Sequence, residues 1–322
     1  MGKKRMRSIN NQPTEKAIYM WNIIGSMANA LISVVVLMLV TRMLNKDDTD
    51  IFSIAWSISQ LMVTIGTFQI RVYQATDVKQ TFNFKQYCVF RIITIGAMLI
   101  SSGVYIGMRG YTDYKAQIVM IICVYRAVDS LADVYEGWFQ QKERLDLAGK
   151  ALTYRIVFAV LAFGIILAKT QNLFYACWSL VVIYTVCFFA FDVQYKNRVE
   201  CLKSSGKLGK NLKWIVKLFK EGLPLFVNAF IMMSITNTPK MVIDTAIQSG
   251  NIEKGAQTVF NILFMPASVL TLAYIVFRPL ITQMAIMWGD QRYKKFIKIL
   301  GKIILCLLGM AVLLMIGSAI LG

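Results

Sequence analysis

The run "RAVDSLADVYEGWFQQKERLD", Arg126 to Asp146, follows the apolar segment "AQIVMIICVY" and sets ionisable groups at helical spacing. At 100° per residue Arg126, Asp129, Asp133, Glu136 and Gln140 fall within about 80° of one another, a single narrow polar face. Charges inside an apolar span are costly and seldom face lipid, so this face must look into protein, a watery cavity or an interface. Asp129 and Asp133 are like charges at i,i+4 and call for cationic partners. Arg155, across a short turn on the next apolar segment, is one such partner. Two readings stay open for Asp129, Asp133 and Glu136: an ion-pair cluster that locks neighbouring helices, or a gate lining a cavity. Arg91, Arg126, Arg155 and Arg278 also suit anion binding, because the guanidinium fork matches phosphate geometry. Asn29 and Asn228 offer amides to sugar hydroxyls, or bonds between helices. These six are the candidate substrate-binding residues.

Other chemistry is missing. The chain has no histidine, which removes histidine bases and histidine metal sites together. The cysteines, Cys88, Cys123, Cys177, Cys187, Cys201 and Cys306, form no C-x-x-C pair and read as small hydrophobes. No G-x-S-x-G, H-E-x-x-H or P-loop pattern occurs. The expectation is a protein that is not an enzyme, with no catalytic residue, no metal and no cofactor. Uphill transport would then need an ion gradient or a partner.

The elements that must carry these residues are apolar helices. Of 322 residues, 57% are hydrophobic and only 16% charged, against about a quarter charged in soluble domains. Mean hydropathy is +0.56. A spanning helix takes about 20 apolar residues, and nine candidates emerge: 17–41, 51–70, 87–108, 115–138, 151–168, 172–192, 222–240, 256–286 and 303–321. Pro266 and Pro279 interrupt the eighth, and the seventh ends near Pro239. The net charge of +18, from 35 Lys and Arg against 17 Asp and Glu, gathers in the N-terminal tail and alternate loops. By the positive-inside rule the N-terminus is cytoplasmic, in a multi-pass protein of the cell inner membrane. The basic connection 193–221 reads as a cytoplasmic linker whose second part, "LKWIVKLFKEGLPLF", is an amphipathic helix on anionic lipid, not a nucleic-acid site. The expected organisation is a six-helix lobe over 1–192, the linker 193–221, and three further spans over 222–322.

The halves echo each other weakly: "NALI" at Asn29–Ile32 and "NAFI" at Asn228–Ile231, each after a glycine, Gly25 or Gly222. The order of spans, with "DSLADVYEGWFQQKERLDLAGK" over 129–150 and "TRMLNKDDTDIFSIAWSI" over 41–58, resembles bacterial polysaccharide biosynthesis membrane proteins. These are Wzx-like lipid-linked oligosaccharide flippases of the multidrug/oligosaccharidyl-lipid/polysaccharide exporter superfamily. The resemblance implies an all-α, MATE-like polytopic bundle of two six-helix lobes around a central cavity. Against that pattern the second lobe here has three spans. It also implies alternating access and an undecaprenyl-pyrophosphate-linked oligosaccharide as cargo, with anionic membrane lipids and polysaccharide assembly proteins as partners. The rival readings are an ion-coupled exporter of small cationic compounds, which would want an acid deep in the first lobe, and a non-transporting membrane subunit.

Overall fold

The computed structural model describes residues 14–77, 81–199, 213–264, 284, 287 and 291–321, and among these every regular element is helical. The helices are α1 (Glu15–Met43), α2 (Lys46–Thr67), α3 (Ile70–Thr76), α4 (Phe84–Arg109), α5 (Asp113–Gln141), α6 (Leu145–Thr170), α7 (Leu173–Cys187), α8 (Gln194–Val199), α9 (Lys213–Gln248) and α10 (Tyr293–Leu321). A π-helical stretch, Phe188–Val193, joins α7 to α8. Residues 256–264 are also helical. The rest of the expected eighth span, with Pro266, Arg278 and Pro279, lies outside the described residues, as does Cys201.

Local signals fix the helix ends. Asn45 caps α2 by accepting from the Asp48 N–H at 2.8 Å, and Asp47 and Asp48 sit in the first turn where the helix dipole favours acids. Asn83 and Gln86 form a reciprocal capping box on α4, which stops at Gly110 in the left-handed region. The α2–α3 corner uses two successive left-handed residues, Phe68 and Gln69, neither a glycine. That conformation is uncommon outside glycine, and packing on Phe68 holds it, as described below.

Among the described residues, six helices are long and apolar enough to cross a membrane: α1, α4, α6, α7 with its extension, α9 and α10. α2 and α5 are equally long but more polar, because they form the interior. α5 packs on α2, α3, α4, α6 and α7. The apolar core runs through Val36 and Val40, Phe52 and Ile58, Ile122 and Tyr125, Phe163, and Leu180 and Tyr184. α1 and α6 cross at Gly25 and Gly149, where a Cβ on Gly149 would strike the Trp21 carbonyl. Without water to drive association, such close backbone approach is how membrane helices gain packing energy.

One finding departs from the sequence reading. α9 does not end near Pro239: it runs unbroken through Pro224 and Pro239 to Gln248, merging the amphipathic segment with the seventh span. Neighbouring helices and local adjustment tolerate proline within a membrane helix. The chain also divides into compact units between Thr258 and Val259, so α9 packs with α2, α3 and α4. The second unit begins at Val259, and its described part is the end of the 256–264 helix, residues 284 and 287, and 291–321 with α10.

Candidate functional site

The polar face of α5 is the centre of a linear ion chain. Arg91 of α4 donates through Nη2 to Asp133 at 2.7 Å. Arg71 of α3 reaches Asp133 at 3.3 Å and Glu136 at 2.6 Å. Arg155 of α6 bonds Glu136 and, from its other terminal nitrogen, Asp192 of the π-helical stretch. The order Arg91, Asp133, Arg71, Glu136, Arg155, Asp192 alternates in sign and ties together α3, α4, α5, α6 and the end of α7. Arg91, Arg155 and Asp192 have no exposed surface.

The local backbone prepares this chain. Arg91 also donates to the Gly66 carbonyl at 2.9 Å, which Thr94 Oγ1 shares at 2.7 Å. Carbonyls in the last turn of α2 have no partner in their own helix, and α4 supplies one. A side chain at position 66 would meet Met98 and Ser130. The π turn changes helical register, and within it Phe188 and Asp192 are the buried residues. Beside the chain, in the α3–α4 connection, Asp77 accepts from the N–H groups of Thr81 and Phe82 and from the Tyr87 hydroxyl. Burial alone would raise its carboxyl, but these hydrogen bonds outweigh burial and hold it below its ordinary value.

Arg126 stands apart from the chain. Its guanidinium lies 4.7 Å from the Trp56 ring centre and 5.1 Å from that of Tyr125, and it bonds Asp129 at 3.2 Å. Of the candidate substrate-binding residues, Arg91 and Arg155 spend their terminal donors inside the bundle, and Arg126 has Asp129. Asn29 and Asn228 are exposed, on α1 and α9, while Arg278 lies outside the described residues.

A second polar cluster, at the opposite end of the bundle, is one that sequence reasoning missed. Asp244 of α9 accepts from the Tyr111 hydroxyl at 2.9 Å and from Lys115 of α5. The Lys115 ammonium lies 4.2 Å from the Tyr111 ring centre. Burial, then the Asp244 carboxylate, raises the Tyr111 phenol far above its ordinary value, so it stays a donor. Arg109 bonds Thr245 at 2.7 Å. Asp50 at the start of α2 accepts from Thr258 N–H at 3.0 Å and Thr258 Oγ1 at 2.6 Å, and Lys254 meets Asp47 at 2.7 Å. Asp47, Asp50, Lys115, Asp244 and Lys254 line a cavity of about 150 Å³. At the other end of α9, Gly222 sits against Phe68 and Ile70, the Phe226 ring stacks on Phe68 at 4.6 Å, and the Lys217 ammonium lies 5.7 Å from the Phe82 ring centre.

Lys240 was missed as well. It lies two turns before the end of α9 and is half-buried. Among the described residues no hydrogen bond or ion pair reaches it, and Asp244, one turn on, is taken by Tyr111 and Lys115. Its signal lay in the apolar run "MVIDTAI" that continues past it, hidden by the expectation that Pro239 ends the helix.

No family model and no curated protein sequence matches the chain. Solved structures do. A MATE multidrug transporter, DinF-BH, superimposes with a TM-score of 0.57 at 13% identity, over 98% of this chain and 74% of that one. The fold is that of MATE transporters. An outward-facing MATE family transporter of the MOP superfamily gives 0.55 at 11% identity, over 99% and 74% of the two chains. A MOP superfamily transporter from Pyrococcus furiosus, whose reversed pocket polarity suggests a different function, gives 0.53 at 14%, over 90% and 70%. With its apolar spans, this MATE fold makes the chain a multi-pass membrane protein.

Proposed function

We propose that the protein is a transporter of the cell inner membrane that moves an anionic cargo by alternating access, and that the cargo is an undecaprenyl-pyrophosphate-linked oligosaccharide. The MATE fold supports transport. The observation that carries the choice of cargo is the state of the interior acids: Asp129, Asp133, Glu136, Asp192 and Asp244 each have an arginine or lysine partner, and Asp50 and Asp77 are taken up by N–H and hydroxyl donors. An exporter of cationic compounds needs an uncommitted acid in the bundle, and α1 beyond Glu15 has no acid at all. The basic excess of the second half points the same way. Residues 193–322 hold 16 Lys and Arg against five Asp and Glu.

With the N-terminus cytoplasmic, the ion chain lies toward the cytoplasm and the Asp244 cluster toward the outside. The ion chain keeps the six-helix bundle rigid, and the Asp244 cluster is the latch that releases α9 when the outer end opens. The test is translocation of a fluorescent undecaprenyl-pyrophosphate glycan in proteoliposomes holding this chain, beside export of a fluorescent cationic rhodamine dye. Protein-dependent movement of the glycan alone supports the reading. Movement of the dye alone replaces it with a cationic exporter, and movement of neither favours a non-transporting subunit.

A further inference from the structure

We propose that Lys240 is the counter-charge that meets the phosphate or pyrophosphate of the cargo. This rests on the transport reading above and adds to it the residue of this chain that carries the recognition.

The argument is one of charge accounting. An ammonium within a membrane span needs a carboxylate, water or a ligand to offset its lost hydration. The buried arginines have theirs: Arg91 and Arg71 share Asp133, Arg71 and Arg155 share Glu136, and Arg126 takes Asp129. Lys115 takes Asp244. Lys240 is left with none among the described residues. From Lys254 to Gly322 the sequence holds a single acid, Asp290, in the basic stretch "WGDQRYKK". Composition therefore offers Lys240 no other carboxylate from that part of the chain, and Asp290 has basic neighbours of its own.

Placement agrees. Asn237, Lys240 and Asp244 fall within about 60° on the helical wheel of α9, and Asn237 and Asp244 are buried while Lys240 is half-buried. Lys240 thus sits at the margin of the packed face, neither enclosed by it nor turned fully away. Asp244 is one turn on, about 6 Å along the axis, and its carboxylate is already held by Tyr111 and Lys115. An ammonium held there, with rotatable donors, suits a phosphoryl group as a point charge.

The test uses the full chain in detergent with inorganic pyrophosphate as the probe, at matched ionic strength. The melting temperature is followed for wild type, Lys240→Gln, Lys240→Arg and, as a control, Lys150→Gln. The expected result is a pyrophosphate-dependent rise in wild type, Lys240→Arg and Lys150→Gln, with half-saturation weakened about tenfold or more in Lys240→Gln. An equal rise in all four proteins, or none in wild type, overturns the assignment. Glycan translocation separates the two claims. Normal translocation by Lys240→Gln removes Lys240 and leaves the flippase reading, whereas selective loss of pyrophosphate binding in a chain that moves no glycan keeps Lys240 and removes the lipid-linked cargo.

Discussion

The two ends of the bundle hold charge in opposite ways. At the α3 end six residues form an unbroken chain in which Asp133 and Glu136 each serve two arginines, and Arg91, Arg155 and Asp192 are wholly enclosed. At the α9 latch the bonds are separate, and they grade from the buried Lys115–Asp244 pair to Lys254–Asp47, whose side chains are 69% and 53% exposed. Parting the first would strand several ions in a dry interior, where water cannot replace a lost partner. Parting the second exchanges protein bonds for water step by step. On the proposed transport reading, burial marks the end that stays fixed and the end that opens.

The largest effect expected from breaking this contrast is at Arg155. Arg155→Ala leaves the buried Asp192 without its cation and Glu136 with Arg71 alone, and should cost about 3–5 kcal/mol, read as a large fall in melting temperature or loss of folded protein. Asp244→Asn, at the buried part of the latch, should cost less, about 1–3 kcal/mol, and should raise the reactivity of a cysteine introduced by Ile247→Cys toward a thiol reagent. A larger loss there than at Arg155 would reverse the assignment of fixed and movable ends. Asp77 gives a pH-dependent effect. Its carboxyl is held below its ordinary value when folded, so it adds stability at neutral pH that is lost as pH falls below about 4, toward the folded value. In Asp77→Asn that part of the acid sensitivity should vanish while the rest remains. Lys254→Ala should change stability by at most about 0.5 kcal/mol, since its ion pair is solvated.

Much of this was legible in the sequence, for reasons that can be named. Hydropathy located α1, α4, α6, α7 and α10, because lipid imposes one rule on every exposed residue. The helical period of Arg126, Asp129, Asp133 and Glu136 placed them on one face, and the short α5–α6 turn put Arg155 beside it, although Arg155 bonds Glu136 and Asp192 and not the expected Asp129 or Asp133. The partners Arg71 and Asp192 were not legible. Arg71 sits just past a corner made by left-handed Phe68 and Gln69, and Asp192 depends on a π turn, and neither has a sequence signature at this level. The latch was hidden because Asp244 and Lys254 are separated by more than a hundred residues from Lys115 and Asp47, so only the fold brings them together. Lys240 was hidden by a local rule, proline as a helix stop, that the membrane environment overrides.

The most direct test of this division is a pair of spin-label distances measured with and without the glycan, in a chain whose native cysteines are replaced. One pair, at Asp113 and Ser249, spans the latch; the other, at Lys85 and Glu143, spans the ion-chain end. All four positions are exposed. The account predicts two distance populations across the latch that shift with cargo, and one narrow population at the other end. A single unchanging distance at the latch, or cargo-dependent broadening between Lys85 and Glu143, would contradict it.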